Sequence, residues 1–264
     1  MFGERNPETA CGMWSTTYII ALSIVVVLVV LGLWFSRKMS HKSVKRVLLV
    51  MAIWTIVSEV VKAIFTWVTY GIEDVDFLPL YFCSLFMYCT VFSVVPSKTL
   101  NKCGLSFIFF GGIIGAVSFF IYPDACIPNY PIYHFMCLRT MLFHGSMIYT
   151  GLLIVITNYY KPTIKDFKYY FIELIIISLL AYTINVIFSK NLMYIQEPLN
   201  FDISRNLYDA APKLYPFIIM LLQIVVPFFL SYLVYILISK LCVKKESQEE
   251  YGESAKTIEE KESI

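Results

Sequence analysis

Residues 47–70 read VLLVMAIWTIVSEVVKAIFTWVTY, an apolar run whose only charged residues are Glu59 and Lys62. A helix of about 20 predominantly apolar residues crosses the hydrocarbon core of a bilayer, so this stretch is long enough to span. Its polar residues are not scattered. At roughly 100° per residue, Thr55, Ser58, Glu59, Lys62, Thr66 and Thr69 fall within a stripe about 100° wide. Ionisable groups inside a span are costly, face the bundle interior and mark functional sites by default. The run therefore reads as a membrane helix that hides a polar seam. Glu59 lies near the bilayer midplane and Lys62 one turn nearer the outside, so the two can neutralise each other. Such a pair either fixes helix register or lines a site.

Six further apolar runs occupy residues 16–36, 77–95, 103–122, 138–157, 167–189 and 213–241. With 58% hydrophobic residues, 15% charged residues and a mean hydropathy of +0.70, the chain lies far from soluble domains, which carry about 25% charge. The expectation is all-α: a polytopic membrane helix bundle of seven transmembrane helices over residues 16–245. Segment 1–15 precedes the bundle and segment 246–264 follows it. The opening stretch holds Glu4, Arg5 and Glu8 and lacks the basic flank of a cleavable signal, so the first run reads as a permanent helix.

Lysine and arginine near the span ends set orientation. Arg37, Lys38, Lys42, Lys45, Arg46, Lys98, Lys102, Lys161, Lys165, Lys168, Lys240, Lys244 and Lys245 fall on one side, and Arg5, Lys190, Arg205 and Lys213 on the other. Thirteen against four puts the N-terminus outside and the C-terminus in the cytoplasm, with the plasma membrane as the expected location. The formal charge of +2 thus reflects topology and implies no nucleic-acid surface. After Lys245 the charged ESQEEYGESAKTIEEKESI reads as a solvated, disordered tail.

The seven cysteines show no close paired spacing of the kind that binds zinc, so neither a metal nor a cofactor is indicated. Cys11 and Cys126 fall on the outer side and are either disulfide-bonded or free. Cys83 and His144 are the chemical candidates. Each lies roughly 9 Å inside the outer boundary, six residues into its run at 1.5 Å per residue, or about twice that for His144 if its helix begins at Ile132. On the fifth run Cys137, Thr140, His144 and Gly151 share a face, where Gly151 permits a close helix approach. Arg139 points elsewhere, toward lipid phosphates at the outer interface. A thiolate is a strong nucleophile once an imidazole takes its proton, which suits acyl transfer through a thioester. On the sixth run Ser178, Tyr182, Asn185 and Ser189 share a face roughly 60° wide, so Tyr182 and Asn185 serve either as donors to an oxyanion or head group or as packing contacts. Glu173, on another face, reads as reaching the inner interface.

The blocks LPLYFCS at Leu78 to Ser84, HGS from His144, and INVIFSKNLMYIQEP from Ile184 to Pro198 resemble the YwaF-like integral membrane protein family, which includes transmembrane protein 164. The resemblance spans the second to seventh runs. It implies a cysteine-dependent acyltransferase that moves fatty acyl chains between glycerophospholipids of the surrounding membrane, with Cys83 and His144 at the positions of the family's cysteine and histidine. Ser84 and Tyr81 stand where the family pattern carries asparagine and histidine. In that reading Glu59, Lys62, Tyr182, Asn185 and Arg139 contact the lipid substrate. A retinal protein is disfavoured because its Schiff base needs a mid-membrane lysine in the last helix, and here Lys213 and Lys240 stand at the two ends of the last run. The rival reading is a small transporter or binding protein with a polar intramembrane cavity and no catalysis, built around Pro79, Pro216 and Pro227.

Overall fold

The computed structural model describes residues 2–71, 78–123, 126–199 and 202–262, with side chains as far as Lys240. Every regular element among the described residues is helical: α1 (Thr16–Ser36), α2 (His41–Tyr70), α3 (Leu85–Phe92), α4 (Lys98–Ile121), α5 (Phe135–Ile156), α6 (Phe167–Phe188), α7 (Asp202–Ala210) and α8 (Tyr215–Glu262). The starts of α1, α2, α4 and α5 are set by Ser15, Ser40, Ser97 and His134, whose side chains accept backbone N–H groups of the first turn. Each thereby satisfies a donor that a helix start leaves orphaned. The backbone of α8 stays helical beyond 245, where the sequence suggests a disordered tail.

Six helices are long and apolar enough to cross a membrane, namely α1, α2, α4, α5, α6 together with its preceding turn, and α8. The chain is a multi-pass integral membrane protein. Helix α4 is the hub, packed against α3, α5, α6 and α8, and its residues from Cys103 to Gly112 are all buried. An all-round apolar helix belongs in such a central position. Helix α1 leans on α5 and turns Ile20, Ile24, Val27 and Leu31 outward, as a lipid-facing helix does. Two glycines admit close crossings. A Cβ on Gly104 would collide with the Cys89 carbonyl oxygen of α3, and one on Gly151 would sit 2.8 Å from the Ile108 carbonyl oxygen of α4.

The third expected span is not one continuous helix. Phe77 lies outside the described residues, and the only α-helix in 78–95 is the eight-residue α3, about 12 Å long at 1.5 Å per residue. Pro79 supplies the reason, since it has no N–H to donate and keeps Leu78 extended. From Phe82 the chain enters α3 through bonds of the tighter i, i+3 kind, Leu85 N to Phe82 O, Phe86 N to Cys83 O and Met87 N to Ser84 O. This segment runs antiparallel to α4. Phe82 and Cys83 face Gly115, and Asn101 donates to the Ser93 carbonyl.

Helix ends gather into two groups. At one end the His41 ring meets Tyr159 at 5.6 Å, and Lys102 and Lys168 sit over Tyr169. At the other, Arg5 covers the Tyr70 ring at 4.5 Å, Tyr70 and Tyr130 hydroxyls bond at 2.8 Å, and Asn6 N donates to Asn129 O. The amphipathic α7 was not expected from hydropathy. It is nine residues long, exposes Ile203 and buries Ser204.

Candidate functional site

The polar stripe of α2 turns inward. Thr55, Ser58, Glu59, Lys62 and Thr66 are all buried. Lys62 Nζ lies 3.0 Å from Glu59 Oε2, so the i, i+3 pair forms. The other Glu59 oxygen, Oε1, accepts from the Arg139 guanidinium of α5. Arg139 is only 8% exposed. Its Nε donates to Ser58 Oγ at 2.8 Å, and its guanidinium carbon lies 4.5 Å from the centre of the Phe143 ring. The sequence-based orientation of Arg139 toward lipid phosphates is thus corrected: the second oxygen of the Glu59 carboxylate on α2 holds it inside the bundle. Charge counting within spans carries the signal, since a buried Glu with a single cation leaves lone pairs for a second donor.

Cys83 lies beside this cluster. It is half-buried, its thiol donates to the Gly115 carbonyl at 3.8 Å, and Glu59 and Arg139 both lie within electrostatic reach of it. The next residue, Ser84, donates its hydroxyl to Glu59 Oε1 at 3.4 Å and so does not cap α3 with its side chain. Among the described residues, neither the Cys83 nor the Ser84 backbone N–H donates a hydrogen bond. Both precede Leu85, whose N–H is the first in this segment to bond back to the chain among the described residues, and so stand ahead of the helical ladder.

His144 is buried on α5 and stacks on Phe119 with ring centres 3.9 Å apart. Its Nδ1 meets the Thr140 carbonyl at 2.8 Å. A carbonyl only accepts, so Nδ1 carries the proton and Nε2 keeps a lone pair, which makes Nε2 the basic nitrogen. No hydrogen bond joins Cys83 and His144 among the described residues. They contact α4 at Gly115 and Phe119, four residues or about 6 Å of helix apart. Both also lie within electrostatic reach of Glu59 and Arg139.

The sixth run contributes differently. Asn185 donates to the Leu192 carbonyl at 3.0 Å and accepts from the Leu192 N–H at 2.7 Å, so it ties down the loop after α6. Tyr182 is partly exposed and packs on Phe217. Glu173, expected at the inner interface, is instead buried at 8% exposure. It accepts from the Cys89 thiol at 2.8 Å, while its Oε2 is buried without a hydrogen bond. Nothing in the spacing of Cys89 and Glu173 predicts that contact, which requires α3 and α6 to be packed. Cys11 and Cys126 are free thiols in this structure.

Apolar spans enclosing a charged cluster, a thiol and an imidazole define a multi-pass membrane protein with a polar intramembrane site. The chain belongs to the TMEM164 family, whose model matches residues 13–235 and so takes in every residue of this site. Among curated proteins and among solved structures, no match was found.

Proposed function

We propose that the protein is a phospholipid acyltransferase that works through a thioester on Cys83. In the first half-reaction the Cys83 sulfur attacks the ester carbonyl of a donor glycerophospholipid. The thiol proton passes to His144 Nε2 and on to the departing glycerol oxygen, leaving an acyl thioester and a lysophospholipid. In the second, His144 takes the proton from the hydroxyl of an acceptor lysophospholipid, which attacks the thioester and restores the thiol.

The observation that carries this reading is the break before α3. It presents a half-buried thiol together with two backbone N–H groups ahead of the helical ladder, where the oxyanion of each tetrahedral intermediate would form. The Thr140 carbonyl selects the tautomer that makes Nε2 a base, and the approach of thiol to imidazole tightens once substrate is bound, as catalytic contacts often do. Arg139 and Lys62 leave the Glu59 cluster with one net positive charge, which suits a lipid phosphate. Tyr182 packs in the apolar cluster around Leu80, and Asn185 ties down Leu192 in the same cluster.

The topology that supports this reading has seven crossings, the third made by the 78–84 turn and α3, with the N-terminus outside and the C-terminus in the cytoplasm of a plasma-membrane protein. Phe82 to Ser93 tracks α4 from Gly115 to Asn101, roughly 21 Å of depth, and the basic residues cluster at the opposite end from Arg5 and Tyr130. Purified protein incubated with acyl-labelled phospholipid should retain label that neutral hydroxylamine removes, and Cys83→Ser should retain none. Full transfer by Cys83→Ala would overturn the mechanism. The broken crossing also fits a polar cavity without chemistry, and unlabelled wild type that still binds lysophospholipid would favour that second reading.

A further inference from the structure

Three cysteines meet at the end of the bundle that holds the N-terminal segment. Cys137, in the first turn of α5, is fully buried, and its thiol donates to the carbonyls of Cys126 at 3.6 Å and Tyr130 at 3.7 Å. Cys126 opens the turn 126–130, which is closed by Asn129 N and Tyr130 N bonding to its carbonyl. Cys126 and Cys137 lie together in one buried cluster with Tyr18, Ile127 and Tyr130. Cys11 is differently engaged. Its sulfur pairs with Ser15 Oγ at 3.2 Å, it packs at the edge of that cluster, and its backbone N–H donates to Tyr130 O. Of the two possible partners for Cys126, the structure brings Cys137 into contact and leaves Cys11 half-buried with a hydroxyl.

We propose that Cys126 and Cys137 form a disulfide in the mature protein and that Cys11 remains a free thiol. The pairing rests on the outside orientation of this end, since disulfides persist in oxidising compartments. The oxidant is a disulfide of a small thiol or of a folding catalyst. One cysteine thiolate attacks R–S–S–R, giving a mixed disulfide and one R–SH. The second thiolate then attacks the mixed disulfide, giving the Cys126–Cys137 bond and the other R–SH. Two thiol hydrogens leave the protein and two thiols appear on the oxidant. Both cysteines are at most 1% exposed, so the bond forms before the loop closes over α5 and is shielded from reductants afterwards. The bond staples the turn that seats the N-terminal segment to the head of the helix carrying Arg139 and His144.

The test uses the full chain isolated from membranes with N-ethylmaleimide present throughout, digested with pepsin and analysed by mass spectrometry before and after reduction. The expected result is one pair of peptides, carrying Cys126 and Cys137, that separates only on reduction, with Cys11 alkylated. Alkylation of both Cys126 and Cys137, or a link from Cys126 to Cys11, would overturn the proposal. Cys137→Ala should free Cys126 for alkylation. If that variant does not accumulate, wild type unfolded in sodium dodecyl sulfate with N-ethylmaleimide should leave Cys126 and Cys137 unalkylated until dithiothreitol is added, and alkylation of both before reduction counts against the proposal. Labelling of Cys11 in intact cells by an impermeant maleimide reads the orientation separately. Outside labelling with a reduced pair refutes the disulfide alone, whereas no outside labelling with a reduced pair refutes both.

Discussion

The Glu59 cluster holds one carboxylate between two cations, and this imbalance fixes the order in which its members can be lost. Removing Lys62 leaves Glu59 matched by Arg139, whereas removing Glu59 leaves an ammonium and a guanidinium facing each other out of water. For charges 3.0 Å apart, as Lys62 and Glu59 are, the gross attraction is about 5 kcal/mol at an effective dielectric near 20. Leaving a buried charge unpaired costs roughly 3–5 kcal/mol net. Glu59→Gln should therefore destabilise by at least that range, Arg139→Met by less because Ser58 and Lys62 relax toward Glu59, and Lys62→Met least. The double variant Glu59→Gln with Arg139→Met should cost less than the sum of its parts, with coupling above about 1.5 kcal/mol. Thermal unfolding in one detergent would show Glu59→Gln lowered by on the order of 10 °C. If Lys62→Met proved the most damaging, or if the double-mutant cycle showed no coupling, the three-charge account would be refuted.

Gly104→Ala should cost about 1–3 kcal/mol, because its Cβ would be driven into the Cys89 carbonyl; wild-type melting by this variant would show that α3 and α4 do not cross so closely. Burial holds the His134 imbalance-free, neutral ring below the ordinary imidazole range of pKa, so protonation favours the unfolded state. The stabilisation is complete above about pH 6.5 and is lost as pH falls through the lowered value. His134 Nδ1 accepts from Met136 N at 3.2 Å, so its Nε2 carries the proton and donates to Gly3 O at 3.1 Å. Protonating Nδ1 breaks the α5 cap beside this contact, so proteolysis of the N-terminal segment should accelerate between pH 7 and 5, and a His134→Gln variant should lose that dependence. Cys83→Ser and His144→Ala should each abolish transfer while melting near wild type, with little further loss on combination, since residues acting as one unit are non-additive; simple additivity would separate their roles.

The fold was legible in the sequence where a span is a regular helix. Long apolar runs mark α1, α2, α4, α5, α6 and α8, and the inward stripe from Thr55 to Thr66 follows from spacing alone, because helical periodicity maps directly onto a face. The third run was not legible in the same way. Hydropathy responds to Leu80, Phe82 and Phe86 whether the backbone is helical or turned, and Pro79 alone signals the difference. For the candidate site, the pairing of Glu59 with Lys62 is local and was readable. The pairing of Glu59 with Arg139 joins positions 80 apart in the chain, so it depends on which faces α2 and α5 present to each other. The same holds for Cys89 and Glu173.

An irregular backbone at membrane depth survives only where protein, not lipid, surrounds it. The 78–84 stretch meets this condition through a wall that the sixth run builds. Leu80 packs against Ala181 of α6, Leu192, Met193 and Ile195 of the following loop, and Met220 of α8. That loop would not hold its place by apolar contact alone. Asn185 grips Leu192 by both its N–H and its carbonyl, and Gln223 of α8 donates to the Met193 carbonyl at 2.8 Å. The polar face of the sixth run therefore secures the surface against which the break before α3 is pressed. In this arrangement Asn185 fixes Leu192, which packs in one cluster with Leu80, three residues before Cys83, so the Ile184 to Pro198 block and the break before α3 share one packed unit.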